Sequence, residues 1–251
     1  MGARLVLIAL IADIHANRQA LTACLAQARA AGAERIVLLG DYVGYGADPD
    51  WAVQTVMELV AQGAVALLGN HDSAVDDRRE RMNHDAQVAI EWTRGQLGVA
   101  ERDFLGALPL SFRDGERLFV HADASAPKRW LYVTSPEEAY RSMAATDARV
   151  TFCGHVHEPA IYALSAVAKM TSFRPVTGVA VPLLARHRWH VVLGSAGQPR
   201  DGNPAASFAM LDTVRQEITF CRAAYDVEAA AAAIRANGLP VLLAERLMEG
   251  R

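Results

Sequence analysis

An α/β fold is the architecture this sequence predicts, and three observations carry it. Strand-length apolar runs alternate with helix-length segments in the N-terminal part of the chain. Several of those runs stop at a loop containing Gly, Asp or His. Farther along, short strand patterns follow one another without long helices between them. The early β-α-β-α-β order calls for a sheet with helices over its faces. The later change of character points to a second, mainly antiparallel sheet.

Residues 5–12 form a continuous apolar run, the pattern of a buried strand. Residues 17–31 are rich in Ala and Leu at helical spacing and close at Gly32. A second strand, 35–39, stops at Gly40-Asp41, and Pro49 precedes a helix at 50–62. A third strand, 65–68, stops at Gly69-Asn70. Residues 76–108 read as mostly helical, opening with the charged run 76–81, a solvated stretch. Residues 118–120 and 150–153 are short strands, with Ser135-Pro136 between them as a helix N-cap followed by proline. Strand patterns recur at 161–164, 176–181, 189–193, 207–212 and 217–221. Asp226 caps a helix at 227–236 that ends at Asn237-Gly238, and Pro240 opens a last short one. The expected organisation is one domain over 1–251, with the C-terminal helices of 226–249 packed on it.

Composition narrows the function classes. With 52% hydrophobic and 21% charged residues the chain has an ordinary globular make-up. A net charge of −3 without a long basic run argues against a nucleic-acid backbone as the main partner. The run 5–12 is too short to span a bilayer and lacks a signal-peptide cleavage pattern. Met1-Gly2 is followed at position 6 by Val6, where a myristoylation motif needs Ser or Thr. No membrane association is expected. Cys24, Cys153 and Cys221 are far apart with no C-x-x-C pair, so they read as reduced, buried small side chains in a cytoplasmic protein.

The chemistry concentrates at strand ends. The first strand runs into Asp13-Ile14-His15, whose alternate residues face one side and can reach one ion. The second meets Asp41 in Gly40-Asp41-Tyr42-Val43-Gly44-Tyr45-Gly46, the third Asn70-His71-Asp72, the fourth His121, and the fifth Gly154-His155-Val156-His157. Any one of these alone would serve as a helix cap, a turn residue or a satisfied buried histidine. Together they are harder to explain that way. Five of the eight histidines (His15, His71, His121, His155 and His157) follow apolar strands, and open α/β sheets gather such ends at one edge. The pattern points to a metal site. His84, His187 and His190 read as surface or second-sheet residues.

The combination D-x-H, G-D-x-x-x-x-G, G-N-H-D, a lone His and G-H-x-H, in that order from Asp13 to His157, resembles the calcineurin-like metallophosphoesterase family in its small bacterial-type form. The resemblance continues into Gly197-Gln198-Pro199-Arg200-Asp201-Gly202. It implies a four-layer α-β-β-α sandwich of two packed mixed sheets. It also implies two divalent transition-metal ions, one held by Asp13, His15 and His157, the other by Asn70, His121 and His155, with Asp41 bridging. Such mixed imidazole and carboxylate ligands suit Mn or Fe, and also Zn, Co or Ni, better than Mg or Ca. His71 matches the family's catalytic histidine. The implied reaction is hydrolysis of a small phosphodiester, phosphomonoester or dinucleoside polyphosphate by a metal-bridging hydroxide. A serine/threonine protein phosphatase is the alternative; a non-catalytic scaffold fits poorly, because His71 and every ligand are kept. Asn17 is a candidate phosphate contact as well as a candidate N-cap.

Three departures bear on specificity. Ala122 follows the lone histidine where relatives carry glycine, and its methyl is expected to narrow the phosphate approach. Leu193-Gly194-Ser195-Ala196 stands where relatives often have Asn-Pro-Gly-Ser. Gly44 and Tyr45 replace the Asp-Arg pair with which protein phosphatases of this superfamily grip phosphate and orient the histidine, leaving Asp72 as the candidate to orient His71. Substrate choice is expected to reside in the loops 72–83, 123–134 and 165–175.

Overall fold

The computed structural model describes residues 7–80 and 82–251. Met1-Gly2, the first two residues of the run 5–12 and the last residue of the charged run 76–81 lie outside the described residues. In chain order the elements begin with β1 (Leu7–Ile11), α1 (Arg18–Ala30), β2 (Arg35–Leu38), α2 (Pro49–Ala61), β3 (Val65–Ala66) and α3 (Asn70–Ala74). There follow α4 (His84–Gln96), α5 (Val99–Gly106), β4 (Ser111–Asp114), β5 (Arg117–Val120), α6 (Pro136–Ala144) and β6 (Val150–His157). The chain finishes with β7 (Ala160–Ser165), β8 (Met170–Phe173), β9 (Ala180–Pro182), β10 (His187–Gly194), β11 (Ala206–Asp212), β12 (Glu217–Ala223), α7 (Val227–Ala236) and α8 (Val241–Glu249).

Two six-stranded sheets result, ordered β3-β2-β1-β11-β12-β9 and β4-β5-β6-β10-β7-β8. Both are mixed. In the first, β1 and β2 are parallel while β11 joins β1 antiparallel with Leu7 opposite Asp212; in the second, β6 is parallel to both β5 and β10. The late strands therefore do not make an antiparallel sheet of their own. β9, β11 and β12 extend the first sheet, and β7, β8 and β10 complete the second. Local periodicity cannot distinguish these outcomes, because it fixes which face a strand buries and not which strand it pairs with.

Alternation along β1 shows how the layers arise. Ile8 and Leu10 turn into a core shared with Phe119, Phe152, Val191 and Leu193 of the second sheet. Ala9 and Ile11 turn the other way, against Leu21 of α1 and Val53 and Val56 of α2. On the far side Val120, Cys153 and Val192 pack against Ala139 and Met143 of α6. The order is helix, sheet, sheet, helix, the sandwich that the resemblance implied. The C-terminal α7 and α8 pack with Ala86 and Ala89 of α4 and with Tyr45, which brings them up to a ligand-bearing loop.

Three helix starts were legible: Asn17, Ser135 and Asp226 each accept a backbone N–H of the first turn, and Ser135 with Glu138 forms a full capping box. Asn83 caps α4 in the same way, inside a stretch expected to be helical from residue 76. Among the described residues no helix is long and apolar enough to cross a membrane. Cys24, Cys153 and Cys221 are free thiols, the first two buried.

Candidate metal centre

All five ligand-bearing loops emerge at one edge of the sandwich, where β1, β2 and β3 of one sheet end beside β5 and β6 of the other. The parallel strands of the two sheets end together there and bring their carboxyl-end loops face to face. Three groups of donor atoms lie within 4.8 Å of one another: Asp13, His15 and His157; His15, Asp41 and His71; and Asp41, His121 and His155. Asp41 and His15 each belong to two groups, so the three form a single cluster. Asn70 joins it through Oδ1, which stands 3.1 Å from His121 Nε2.

Each of four histidines has one ring nitrogen tied to a backbone carbonyl. His15 Nδ1 is 3.1 Å from Val43 O, His121 Nδ1 2.7 Å from Leu39 O, and His157 Nδ1 2.7 Å from Gln198 O. His155 uses its other nitrogen, Nε2, at 2.9 Å from Trp130 O. A carbonyl only accepts, so the tied nitrogen carries the proton. In a neutral ring the opposite nitrogen then offers a lone pair to the centre. His15 Nε2 and His157 Nε2 consequently face each other at 3.0 Å, with Asp13 Oδ1 3.5 Å from the latter. Buried acceptors facing one another without a proton between them are the arrangement that a shared cation satisfies. The residues present fit a metal.

Electrostatics agree with that geometry. Burial, with His71 and His157 adding to it, holds His15 well below its ordinary value. Burial and Arg200 lower His157 against the opposing pull of Asp13. Burial favours a neutral Asp41 carboxyl, but His121 and His71 override it and hold the group well below the usual range. Burial would lower His121 too; its contact with Asp41, at 3.4 Å, instead raises it to about 9. His121 Nε2 thus faces both Asp41 Oδ2 and Asn70 Oδ1, at 3.4 and 3.1 Å.

The local backbone is bent to make this possible. Of ten non-glycine residues with positive φ among the described residues, Asp13, His15, Asp41, Tyr45, His155 and His157 all lie here. Such conformations cost roughly 1–3 kcal/mol each and persist where surrounding bonds over-determine them. Asp72 supplies several of those bonds. Its carboxylate accepts from the backbone N–H groups of Asp41 (2.8 Å), Tyr42 (2.8 Å) and Gly69 (3.0 Å), and so fixes the Asp41 loop against the start of α3. The expectation that Asp72 orients His71 is corrected: its oxygens are taken by main chain.

His71 differs from the four tethered histidines. Its Nδ1 is buried without a partner and packs against Gly44, where an added Cβ would stand 2.3 Å away. Gly44, at φ +82°, therefore explains one of the two departures in the second motif: only glycine leaves room for the ring. Tyr45 explains the other, its ring lying 4.5 Å from those of both His15 and His71.

Asn17 caps α1 through Oδ1 to Ala20 N at 3.1 Å, while Nδ2 donates to Gly197 O at 2.8 Å and to Tyr225 Oη at 3.3 Å. Both amide hydrogens are engaged, so neither remains for a phosphate oxygen, and the capping role is the one the contacts describe. Ala122 is buried and does not line the cleft over the centre, so its methyl does not narrow the approach. Ser195 receives a bond from Gln198 N and donates to Asp13 O, both at 2.7 Å, bracing the first ligand loop.

A cleft of about 460 Å³ opens above Asn70, His71 and His155. Its walls come from the loops 72–83 and 123–134, as expected, with Arg79, Lys128, Trp130 and Tyr132 among the lining residues. Trp130 Nε1 donates to Glu80 at 2.9 Å and ties the two loops together; Tyr132 stacks on His155 with ring centroids 4.2 Å apart. The loop 165–175 is placed elsewhere: Ser172, Phe173 and Arg174 line a separate hollow. Trp130 and Tyr132 leave no sign in the sequence, because an aromatic residue in a loop carries no periodic signal.

Comparison with known proteins gives the family. The calcineurin-like phosphoesterase superfamily domain matches residues 6–216. An uncharacterized protein of Methanocaldococcus jannaschii is 32% identical over 98% of each chain. The crystal structure of a metallophosphoesterase from Sphaerobacter thermophilus superposes with a TM-score of 0.87 at 33% identity, covering 99% of this chain and 100% of that one. A hypothetical protein from Pyrococcus horikoshii shares the fold, with a TM-score of 0.78 at 19% identity over 98% and 99% of the two chains. The chain belongs to the calcineurin-like phosphoesterase superfamily and is a metal-dependent hydrolase of phosphate esters.

Proposed function

We propose that this protein hydrolyses a small phosphodiester, phosphomonoester or dinucleoside polyphosphate at a centre of two divalent transition-metal ions. Asp13, His15 and His157 hold one ion, and Asn70, His121 and His155 the other. Asp41, which belongs to two of the donor groups, bridges them. The observation that carries this reading is the set of four buried imidazoles, each tied by one nitrogen to a main-chain carbonyl. The donor set of imidazole, carboxylate and amide favours Mn or Fe, with Zn, Co or Ni also suited. When bound, such a pair supplies an activated water and neutralises the charge of the phosphate oxygens.

The chain's own groups do the rest. His71 is lowered to about 4, by burial first and by His157, His121 and Arg200 besides, against the pull of Asp41. It is therefore neutral at pH 7. With Nδ1 sealed against Gly44, the ring acts by donating a hydrogen bond from Nε2 to an oxygen on which charge develops. Positioned groups of this kind contribute about 10² to 10⁴ in rate. The remaining arm of the ester lies in the cleft, where Trp130 and Tyr132 offer aromatic faces and Lys128 a cation at the rim. A cleft this size suits a nucleotide-sized arm, which favours a small ester over a phosphoprotein. The three free thiols are in keeping with a reducing, cytoplasmic setting.

One panel tests the reading. With Mn-loaded protein, kcat/KM is compared for an aryl monoester, an aryl diester, cyclic nucleotides, dinucleoside polyphosphates and a phosphopeptide. A small ester is expected to lead. A phosphopeptide preferred tenfold or more over every small ester would promote the protein-phosphatase alternative.

A further inference from the structure

The second motif lacks the arginine with which protein phosphatases of the superfamily grip phosphate, yet an arginine stands at this corner of the site. It comes from the far end of the chain, in the loop after β10. Gly197 enters that loop so close to the first ligand loop that a Cβ would stand 1.8 Å from Ile14 O. The loop is pinned on both sides. Gly197 N donates to Asp13 O at 2.8 Å, and Gln198 O holds His157 Nδ1 at 2.7 Å. Arg200 N donates to His157 O at 3.2 Å, which fixes the residue beside a ligand-bearing strand. From there its guanidinium reaches over the Tyr45 ring, 5.8 Å from the centroid, with Nη2 3.4 Å from Tyr45 Oη and 3.1 Å from Gln198 Oε1.

Three features of this side chain ask for an anion. Its Nε is buried and has no hydrogen-bond partner. Among the described residues it makes no ion pair; the neighbouring carboxylate, Asp201, is engaged by Arg222. It lies over the Tyr45 ring, which itself stands 4.5 Å from the rings of His15 and His71, so it sits at the reacting corner. A guanidinium without a carboxylate, placed beside a centre that collects cations, is electrostatically unbalanced until an anion arrives. With Nε buried and Nη2 engaged by Tyr45 and Gln198, Nη1 is the edge of the guanidinium left to meet a phosphate oxygen.

We propose that Arg200, steadied by Tyr45 and Gln198, is the phosphate-anchoring residue of this site, supplied from the 197–202 loop in place of the arginine missing from the second motif. Tyr45 then has a positive role at the position the arginine vacates: its ring carries the guanidinium and its hydroxyl holds Nη2. The inference rests on the proposed function, since it concerns the same site, and it removes the absent second-motif arginine as an argument against tight phosphate capture.

The test uses full-length, metal-loaded protein and inorganic phosphate as the probe, in wild type, Arg200→Ala, Arg200→Lys and Tyr45→Phe. Phosphate affinity is read by calorimetry and as a competitive inhibition constant, with metal content measured alongside. Arg200→Ala is expected to keep its metals, weaken phosphate binding about 10- to 100-fold and raise KM in parallel. Millimolar guanidinium ion should restore part of kcat/KM to Arg200→Ala and none to wild type, a response that a merely structural role would not give. Arg200→Lys should fall between, because it keeps the charge and loses the fork, and it serves if the alanine variant does not fold. Tyr45→Phe should weaken phosphate binding by a smaller factor. Phosphate affinity within twofold of wild type in a folded, metal-replete Arg200→Ala or Arg200→Lys overturns the inference. That result leaves the proposed function standing, whereas a metal-loaded wild type that hydrolyses no phosphate ester removes the proposed function and leaves phosphate calorimetry to decide on Arg200.

Discussion

In the half of the centre built from Asp13, His15 and His157, both imidazoles are held below their ordinary value, and two of their nitrogens face each other at 3.0 Å. In the half built from Asp41, His121 and His155, with Asn70 beside it, His121 is held up at about 9 by Asp41. The donor types are nearly the same, so the difference comes from arrangement. His157 faces a second imidazole as well as a carboxylate, whereas His121 faces two oxygen acceptors, Asp41 Oδ2 and Asn70 Oδ1. On the proposed two-ion reading, metal held by the second half would compete with a proton on His121, which would tie its affinity to pH more strongly than that of the first.

The largest effect is expected at Asp41, the carboxylate proposed to serve both halves. Asp41→Ala is expected to deplete metal from both halves and take turnover to near background, as elemental analysis and ester hydrolysis would report. His121→Ala and His157→Ala should each deplete mainly one ion. An Asp41→Ala protein that kept both ions would show that the halves are independent.

Next in size is a change that touches neither half. His71→Ala removes a ring with no carbonyl tether and should retain near-normal metal content while losing about 10² to 10⁴ in kcat. If it lost its metals instead, His71 would belong with the ligands, as its place in the middle donor group allows.

A pH series on metal-free protein sharpens the contrast. Burial lowers His71 to about 4, His155 to about 3 and His190 to about 4, all from an unfolded value of 6.5. Below pH 6.5 the unfolded chain takes up protons that these folded rings refuse, so stability should fall as pH drops from 6.5 toward 4. His121 has the opposite sign. Its contribution is complete below pH 6.5 and is lost as pH rises through about 9. Denaturant titrations in chelator should therefore give a maximum near pH 6.5, and metal loading should abolish the alkaline decline. An alkaline limb unchanged by metal would separate His121 from the site.

The smallest effect is expected outside the centre. Asn17→Ala deletes a cap and a bond to Gly197 and should lower stability by about 1–2 kcal/mol in chemical denaturation. Its KM should stay within twofold of wild type. A large rise in KM at unchanged stability would return Asn17 to the substrate.

The residues of the centre were legible because each sits where an apolar run stops, and a run of strand character reports its own end. Asp13, Asp41, His121 and His155 were placed in this way, and the helix caps were read from local chemistry of the same kind. What escaped depends on distant chain segments. The pairing of Leu7 with Asp212 joins the first strand to one far along the chain within a single sheet and leaves no local trace. The hairpin partner β4 and the strand β8 bury almost nothing, so no apolar run marks them. Asp72 was misjudged because adjacency in sequence suggested a contact with His71, whereas α3 turns its carboxylate onto the Asp41 loop. Arg200 was visible as part of a motif, but only the return of its loop onto Asp13 and His157 gives it a place.

Two transition-metal ions, held between these halves, are proposed to do the work. Elemental analysis of Mn- or Fe-replete protein, paired with turnover before and after exhaustive chelation, tests this directly. Two ions per chain are expected, with activity lost on chelation and recovered on metal return. Full turnover in a thoroughly metal-free sample would contradict it.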